Sequence, residues 1–312
     1  MKGVIVAGGS GTRLYPATLA VNKQLLPVYD KPLIYYPLST LIAAGIDDIL
    51  LVVRPEDQAR FEQLLGDGRH LGIRIRFAVQ AEPKGIAHAL IVARPHLNGE
   101  GATVMLGDNI FLDPDLPAHL RAAAGKPGGH VVATWVRSPE RYGVVTLDAQ
   151  GRPLELVEKP DPAPSNWAVT GVYVYDSRAS EVAANLTPSG RGELEITDLN
   201  AWYLDRGELT VHRLETPDSW IDAGTHDAML AAASHIRALE REDGGKIGCV
   251  EEAAYRADRI SADALRDLGA RQAKSGYGAH LLKIAETAGD RVGTGAGNRA
   301  DIGRNHAVSP SA

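Results

Sequence analysis

Arg13 and Lys23 are the first residues in this sequence whose type and spacing could do chemistry. Arg13 closes the run "AGGSGTR" (7–13), and Lys23 opens "KQLLPV" (23–28) ten positions later. A guanidinium and an ammonium converging on one glycine-rich loop suit a polyphosphate. Gly8, Gly9 and Gly11 relax the backbone, and with Thr12 they offer successive N–H groups, the raw material of an anion-binding nest. Taken alone, the run reads equally well as a tight turn. It is not a Walker A loop, because Thr12-Arg13 rather than Lys-Ser/Thr follows Gly11, and its glycine spacing fits a dinucleotide fingerprint poorly.

Carboxylates and one amide add to this. Asp108 in "LGDN" directly follows the apolar run "ATVML" (102–106), and Asp222 in "WIDAGT" follows another short apolar run. Ligands of open α/β sheets sit beyond the carboxyl ends of strands, yet helix caps and turn acids are the more ordinary use of an isolated Asp-Asn or Asp-Ala-Gly. Glu158 and Lys159 are adjacent at another strand end, where such pairs are usually surface decoration. Gln80, in "FAVQAEPKGIAHAL" (77–90), has an amide able to pair with the edge of a pyrimidine. His88, His212 and His226 are scattered without a metal-ligand spacing. Tyr35, Tyr36 and Trp220 read as core or wall.

These groups need a scaffold. Up to about residue 135, β-rich runs at 2–7, 48–53, 73–80, 102–106 and 130–136 alternate with amphipathic runs, among them 33–45 and 55–68. Nearly continuous apolar strands imply a sheet covered on both faces, so the expectation is an α/β fold with a Rossmann-like, doubly wound mixed sheet. Beyond Arg141 the β-like pieces shorten (142–148, 153–159, 167–176, 209–214, 219–224), which predicts antiparallel additions to that sheet or a lobe of their own. The run 226–242 is the longest amphipathic helix, with smaller helical pieces to about 286. The last stretch, 289–312, has no apolar period and reads as disordered.

Composition excludes several classes. The chain has 312 residues, 44% hydrophobic and 23% charged, and no apolar run approaches the length of a membrane span. A strand-like run begins at once after Met1, leaving no room for a secretion signal, which predicts a cytoplasmic protein. A formal charge of −6 argues against nucleic-acid binding. The single cysteine, Cys249, permits neither an internal disulfide nor a cysteine zinc cluster.

"GGSGTRLYPAT" (8–18) and "KQLLPV" (23–28) match throughout the signature of the sugar-1-phosphate nucleotidylyltransferases, which this sequence resembles. The likeness is nearest to the short bacterial glucose-1-phosphate thymidylyltransferases. It extends over residues 2 to about 286 through "RYGVV", "EKP", "AVTGVYVYD", "RGELEITDLN", "WIDAGTHDAML" and "EEAAYR". The resemblance implies the nucleotide-diphospho-sugar transferase fold and Mg²⁺-dependent transfer of a thymidylyl group from dTTP to α-D-glucose 1-phosphate. It implies a nucleotide site of Gly8, Gly9, Gly11, Thr12, Arg13, Lys23, Gln24, Gln80, Gly85 and Asp108, with Arg13 and Lys23 neutralising the triphosphate. It implies a sugar-phosphate site of Asn109, Gly143, Glu158, Lys159, Val169, Thr170 and Arg191, with Lys159 on the phosphate and Glu193 helping to shape the pocket. Asp108 and Asp222 would hold Mg²⁺. The implied division is a core over 1–242 with sugar-binding insertions, a helical oligomerisation and regulatory region over 243–288, and a tail.

Two departures from the family pattern stand out. Lys84 occupies an acidic position and His88 a glutamine position, which leaves dTTP against UTP open; another sugar 1-phosphate is the further alternative within the class, and a non-catalytic ligand sensor the rival of another class. Short thymidylyltransferases form homotetramers with a second, regulatory site, here implied at Glu252 and Arg256 and at 110–116. In that segment Asp113 and Pro114 replace a glycine-histidine pair, and an acid facing a pyrophosphate opposes binding, so feedback inhibition should be weakened.

Overall fold

The computed structural model describes residues 1–216 and 218–293. Strand β1 (Lys2–Ala7) leads through the glycine loop to a hairpin of β2 (Pro27–Val28) and β3 (Lys31–Pro32). Helix α1 (Tyr35–Ala43), β4 (Asp48–Val53), α2 (Gln58–Leu65), β5 (Arg74–Val79), α3 (Ile86–Leu97) and β6 (Ala102–Leu106) complete the first half. Then come β7 (Asn109–Phe111), α4 (Leu116–Ala123), β8 (Gly129–Trp135), β9 (Gly143–Leu147), β10 (Pro153–Glu158) and β11 (Trp167–Tyr175). Helices α5 (Ala179–Ala184) and α6 (Ile196–Leu204), strands β12 (Leu209–Leu214) and β13 (Trp220–Asp222), and helices α7 (His226–Asp243) and α8 (Val250–Arg256) follow.

Strands β6, β1, β4 and β5 lie side by side and parallel, and β11 joins β6 antiparallel. Strand alternation assigns the two faces. Ile5, Ile49, Leu51 and Val53 face a core made with α1, α2, α4 and α8, whereas Val4, Leu50 and Val52 face one made with α3, α5 and α6. The doubly wound mixed sheet expected from the sequence is therefore present.

The later strands extend this sheet rather than forming a separate lobe: β9, β10, β8 and β12 all belong to it. One expectation is corrected. Strand β12 pairs with β8 in parallel, not antiparallel. Two successive helices, α5 and α6, carry the chain away from the end of β11 and back, so β12 starts beside Gly129, where β11 ends. The connection between those helices reaches the other end of the sheet and brings Arg191 there. The "SWIDAG" run supplies β13, which pairs with β7 in a two-stranded ribbon of its own.

The chain divides into units at Ser261/Ala262. Helices α7 and α8 belong to the first unit, so the helical region expected over 243–288 falls on both sides of the division. The second unit contains α9 (Ala262–Arg271) and α10 (Gly276–Gly293), so helix continues five residues into the expected tail. The remainder of that tail lies outside the described residues.

Candidate active site

At the carboxyl ends of β1 and β6 a cavity of about 540 Å³ opens. Gly8, Gly9, Arg13, Gln24, Gln80 and Gly85 line one side, and Gly143, Glu158, Lys159, Val169, Thr170 and Arg191 the other, with Asp108, Asn109 and Asp222 between them. Strand ends converge here because parallel strands aim their C-terminal loops at one edge. The structure thus brings both halves of the expected site together.

The glycine loop leaves β1 and turns through Gly11, at φ 63°, into a short 3₁₀ turn over Thr12–Leu14. Among the described residues, the N–H groups of Gly9, Ser10, Gly11, Thr12 and Arg13 donate no hydrogen bond. Such a row of unspent donors beside Arg13 is suited to an anion. Gly11 and Thr12 themselves lie outside the cavity lining.

Lys23 does not line the cavity either. It is buried beneath it, with Nζ 2.5 Å from Asp108 Oδ2. Its 3₁₀ turn is fixed by Asn22, whose Oδ1 accepts from Gln24 N at 2.9 Å while its amide donates to Ala7 O at 3.3 Å and Asp57 Oδ2 at 2.7 Å. Gln24 Oε1 is buried and accepts no hydrogen bond, which leaves an acceptor for a ligand.

Asn109 is the hub of the carboxylate edge. Its amide donates to Asp108 Oδ1 at 2.9 Å, and its Oδ1 accepts from Gly171 N at 3.0 Å and Trp220 Nε1 at 2.6 Å. A Cβ on Gly171 would stand 2.5 Å from that oxygen, so only glycine fits there. The register of β8 on β11 shifts between Val169 and Tyr173, where Thr170 Oγ1 donates to Val132 O at 2.9 Å. The ribbon pairs Asp222 with Asn109, and Ala223 N donates to Asp108 O at 3.1 Å. Two strands far apart in sequence therefore hold the two aspartates side by side.

Their environments differ. Burial pushes the Asp108 carboxyl up, but Lys23 and Asn109 more than offset this and hold it below the usual range. Burial and the neighbouring Asp108 raise Asp222, against the pull of Lys23, Arg13 and Arg141. The Asp222 carboxylate accepts no hydrogen bond among the described residues, and Arg141, at 4.0 Å, is its nearest cation. A divalent cation held by one or two carboxylates and substrate phosphates suits this pair. No cluster of three or more His, Cys, Asp or Glu ligands exists among the described residues.

The sugar side is a charge network. Glu158 accepts from Thr197 Oγ1 at 2.6 Å and Arg191 Nη2 at 3.2 Å, with Lys159 Nζ 3.2 Å away. Burial alone would raise Glu158, yet Thr197, Lys159 and Arg191 bring it below its ordinary value. Gly143 opens β9 opposite Glu158. Arg191 also bonds Glu195 Oε2 at 2.9 Å and approaches Glu193 at 3.7 Å. Glu195 directly precedes α6, which begins at Ile196.

A backbone bridge ties the two halves. Leu194 N donates to Lys84 O at 2.8 Å and Ala87 N to Leu194 O at 3.2 Å. Gly85 sits at φ 96°, and a Cβ there would meet Leu194 O at 2.4 Å. The close approach that requires this glycine is thus the 189–195 segment.

Sequence reasoning missed Asn22, Asp57, Arg141, Glu195 and Thr197. Arg141 and the last two stood inside quoted motifs, "RYGVV" and "RGELEITDLN". Glu252 and Arg256 lie on α8, outside the cavity, and bond each other at 2.6 Å. Asp113 accepts from Asp115 N at 2.8 Å and Leu116 N at 3.2 Å, capping α4. Cys249 is buried, and Trp220 is a cavity wall. No helix among the described residues is long and apolar enough to cross a membrane.

A doubly wound sheet carrying a glycine loop, a pair of carboxylates and two cation-lined half-sites defines a transferase that handles phosphate-bearing substrates. Residues 2–238 match the family described as "Nucleotidyl transferase". The chain is 47% identical over 286 residues to the glucose-1-phosphate thymidylyltransferase of Mycolicibacterium smegmatis, covering 92% of this chain and 99% of that protein. It is 49% identical to the protein of the same name in Xanthomonas campestris pv. campestris, covering 91% and 97%. A crystal structure from Bacillus anthracis, provisionally named a glucose-1-phosphate thymidylyltransferase and complexed with a sucrose, superposes with a TM-score of 0.71 at 40% identity, over 76% of this chain and 95% of that one. The chain belongs to the nucleotidyl transferase family.

Proposed function

We propose that this chain joins dTTP and α-D-glucose 1-phosphate to give dTDP-glucose and pyrophosphate, for deoxysugar synthesis. The observation that carries this reading is the Lys23–Asp108–Asn109 arrangement with Asp222 beside it, set between a glycine-loop half-site and the Glu158–Lys159–Arg191 half-site. The names of relatives covering more than nine-tenths of the chain support the choice of substrates.

Nucleotidyl transfer sets two anions against each other, so positioning and charge neutralisation supply most of the catalysis. A phosphate oxygen of the sugar phosphate attacks the α-phosphorus, and the bond to the bridging oxygen breaks as pyrophosphate leaves with the electron pair. The loop N–H groups and Arg13 would hold the triphosphate, Lys159 the sugar phosphate, and Glu158 the sugar hydroxyls. Lys23 acts one step back, keeping Asp108 charged and aimed. Mg²⁺, when bound by Asp108 and Asp222, would neutralise charge between the two phosphates. Retention of both carboxylates disfavours a non-catalytic sensor.

The reading includes a cytoplasmic homotetramer with weakened end-product inhibition. What supports the last point is Asp113, an acid committed to capping α4 where the family carries a glycine-histidine pair. Incubation of dTTP labelled at its α-phosphorus with glucose 1-phosphate tests the main proposal. Label should appear in a nucleotide-sugar only when Mg²⁺ is present; label recovered only as dTTP or dTMP would overturn it.

A further inference from the structure

Gln80 sits in the wall of the nucleotide half-site, 5% exposed, and its amide is already engaged. Nε2 lies 3.3 Å from Gly85 O and 3.1 Å from His88 Nδ1. A carbonyl oxygen can only accept, so the Gly85 contact fixes which end of the amide is NH₂. His88 Nδ1 must then accept as well, which places the imidazole proton on Nε2. Burial and the nearby Lys84 push His88 down, against the opposite pull of Glu82, in keeping with a neutral ring. The other end of the amide, Oε1, accepts no hydrogen bond among the described residues. It points to the glycine loop, 3.2 Å from where a Cβ on Gly8 would stand.

We infer that His88 is a positioning residue for nucleobase selection: with Gly85 it locks Gln80 so that Oε1, an acceptor, is the group offered to the base. The inference rests on the proposed nucleotide site. An acceptor at this point pairs with the N3–H of thymine or uracil and opposes N3 of cytosine, which is itself an acceptor. Discrimination against cytosine therefore comes from an amide that cannot turn, and His88 supplies one of the two hydrogen bonds that prevent the turn. A base site built to hydrogen-bond one pattern rejects the inverted pattern strongly, because turning or mismatching leaves polar groups unpaired.

The test compares wild type, His88→Leu and His88→Asn by steady-state kinetics with dTTP, UTP and dCTP, alongside calorimetric binding of the same nucleotides. Leucine fills the space without an acceptor, whereas asparagine Oδ1 replaces Nδ1. His88→Leu should raise the KM and Kd for dTTP about tenfold with kcat within about twofold, and narrow the preference over dCTP by a similar factor. His88→Asn should restore both. Unchanged preference in the leucine variant, or an asparagine variant equal to leucine, overturns the inference, as does a fall in kcat and thermal stability with the preference intact. Failure of wild type on dTTP would count against the proposed substrates alone, since the binding ratio of a uracil to a cytosine nucleotide still reads the lock.

Discussion

Lys23 and Asp108, 85 residues apart in sequence, meet at 2.5 Å beneath the floor of the cavity, with Lys23 only 6% exposed. The lysine of the "KQLLPV" motif thus reaches the carboxylate of "LGDN". Removing one partner strands the other charge in a poor solvent. Lys23→Met should lower kcat at least about a hundredfold and cost stability on the order of 3 kcal/mol. Because the stability loss comes from the stranded carboxylate whereas turnover needs Asp108 charged, Lys23→Met/Asp108→Asn should recover most of the lost stability and none of the activity. Urea denaturation of the singles and the double measures this, and additive losses would contradict it.

Asn109, the first residue of β7, carries three bonds that tie its amide to the Asp108 carboxylate, to β11 and to β13. Asn109→Ala leaves Gly171 N and Trp220 Nε1 without their acceptor and frees Asp108. Stability should drop by about 2–4 kcal/mol, and tryptophan emission should shift as Trp220 loses its partner. A variant as stable as wild type would remove Asn109 from its central role.

Gly85→Ala combines a forbidden φ with a clash against Leu194 O at 2.4 Å. The bridge it breaks joins the two half-sites, so KM should rise about tenfold for both the nucleotide and the sugar phosphate. An increase confined to the nucleotide would mean that the bridge does not couple them.

Asp176 gives a pH-dependent signature away from the site. Burial raises its pKa, but Arg178, the N–H groups of Gly128 and Arg178, and Tyr203 outweigh that and hold it at about 2. A depressed folded pKa stabilises above the unfolded value of 3.8 and is lost as pH falls toward about 2. Asp176→Asn should therefore melt about 3–5 °C below wild type near neutrality, and the gap should narrow as pH falls from about 5 to about 3. A constant gap in a melting series would contradict the assignment.

The motifs were legible in sequence because each is local. The "GGSGTR" loop, the strand ends before Asp108 and Asp222, and the two-sided apolar strands depend on neighbours within a few residues. The partners of those motifs were not. Nothing in "KQLLPV" indicates that Lys23 is spent on Asp108, since the pairing depends on two strands crossing the sheet. The parallel course of β12 depends on how many helices precede it. Thr197 and Glu195 stood in view, but their link to Glu158 exists only once the α5–α6 connection folds back over the sheet. Gly85 lines the cavity where the nucleotide site is expected, but its packing against Leu194 O is not legible in its own motif, because the 189–195 segment is distant in sequence.

Pyrophosphate release across a matrix of nucleoside triphosphates and sugar 1-phosphates, with wild type and Asp222→Asn side by side, tests the central claim most directly. The account predicts turnover highest with dTTP and glucose 1-phosphate, dependent on Mg²⁺ and reduced at least about a hundredfold in Asp222→Asn. Equal turnover by Asp222→Asn, or release of pyrophosphate from dTTP without any sugar phosphate, would contradict it.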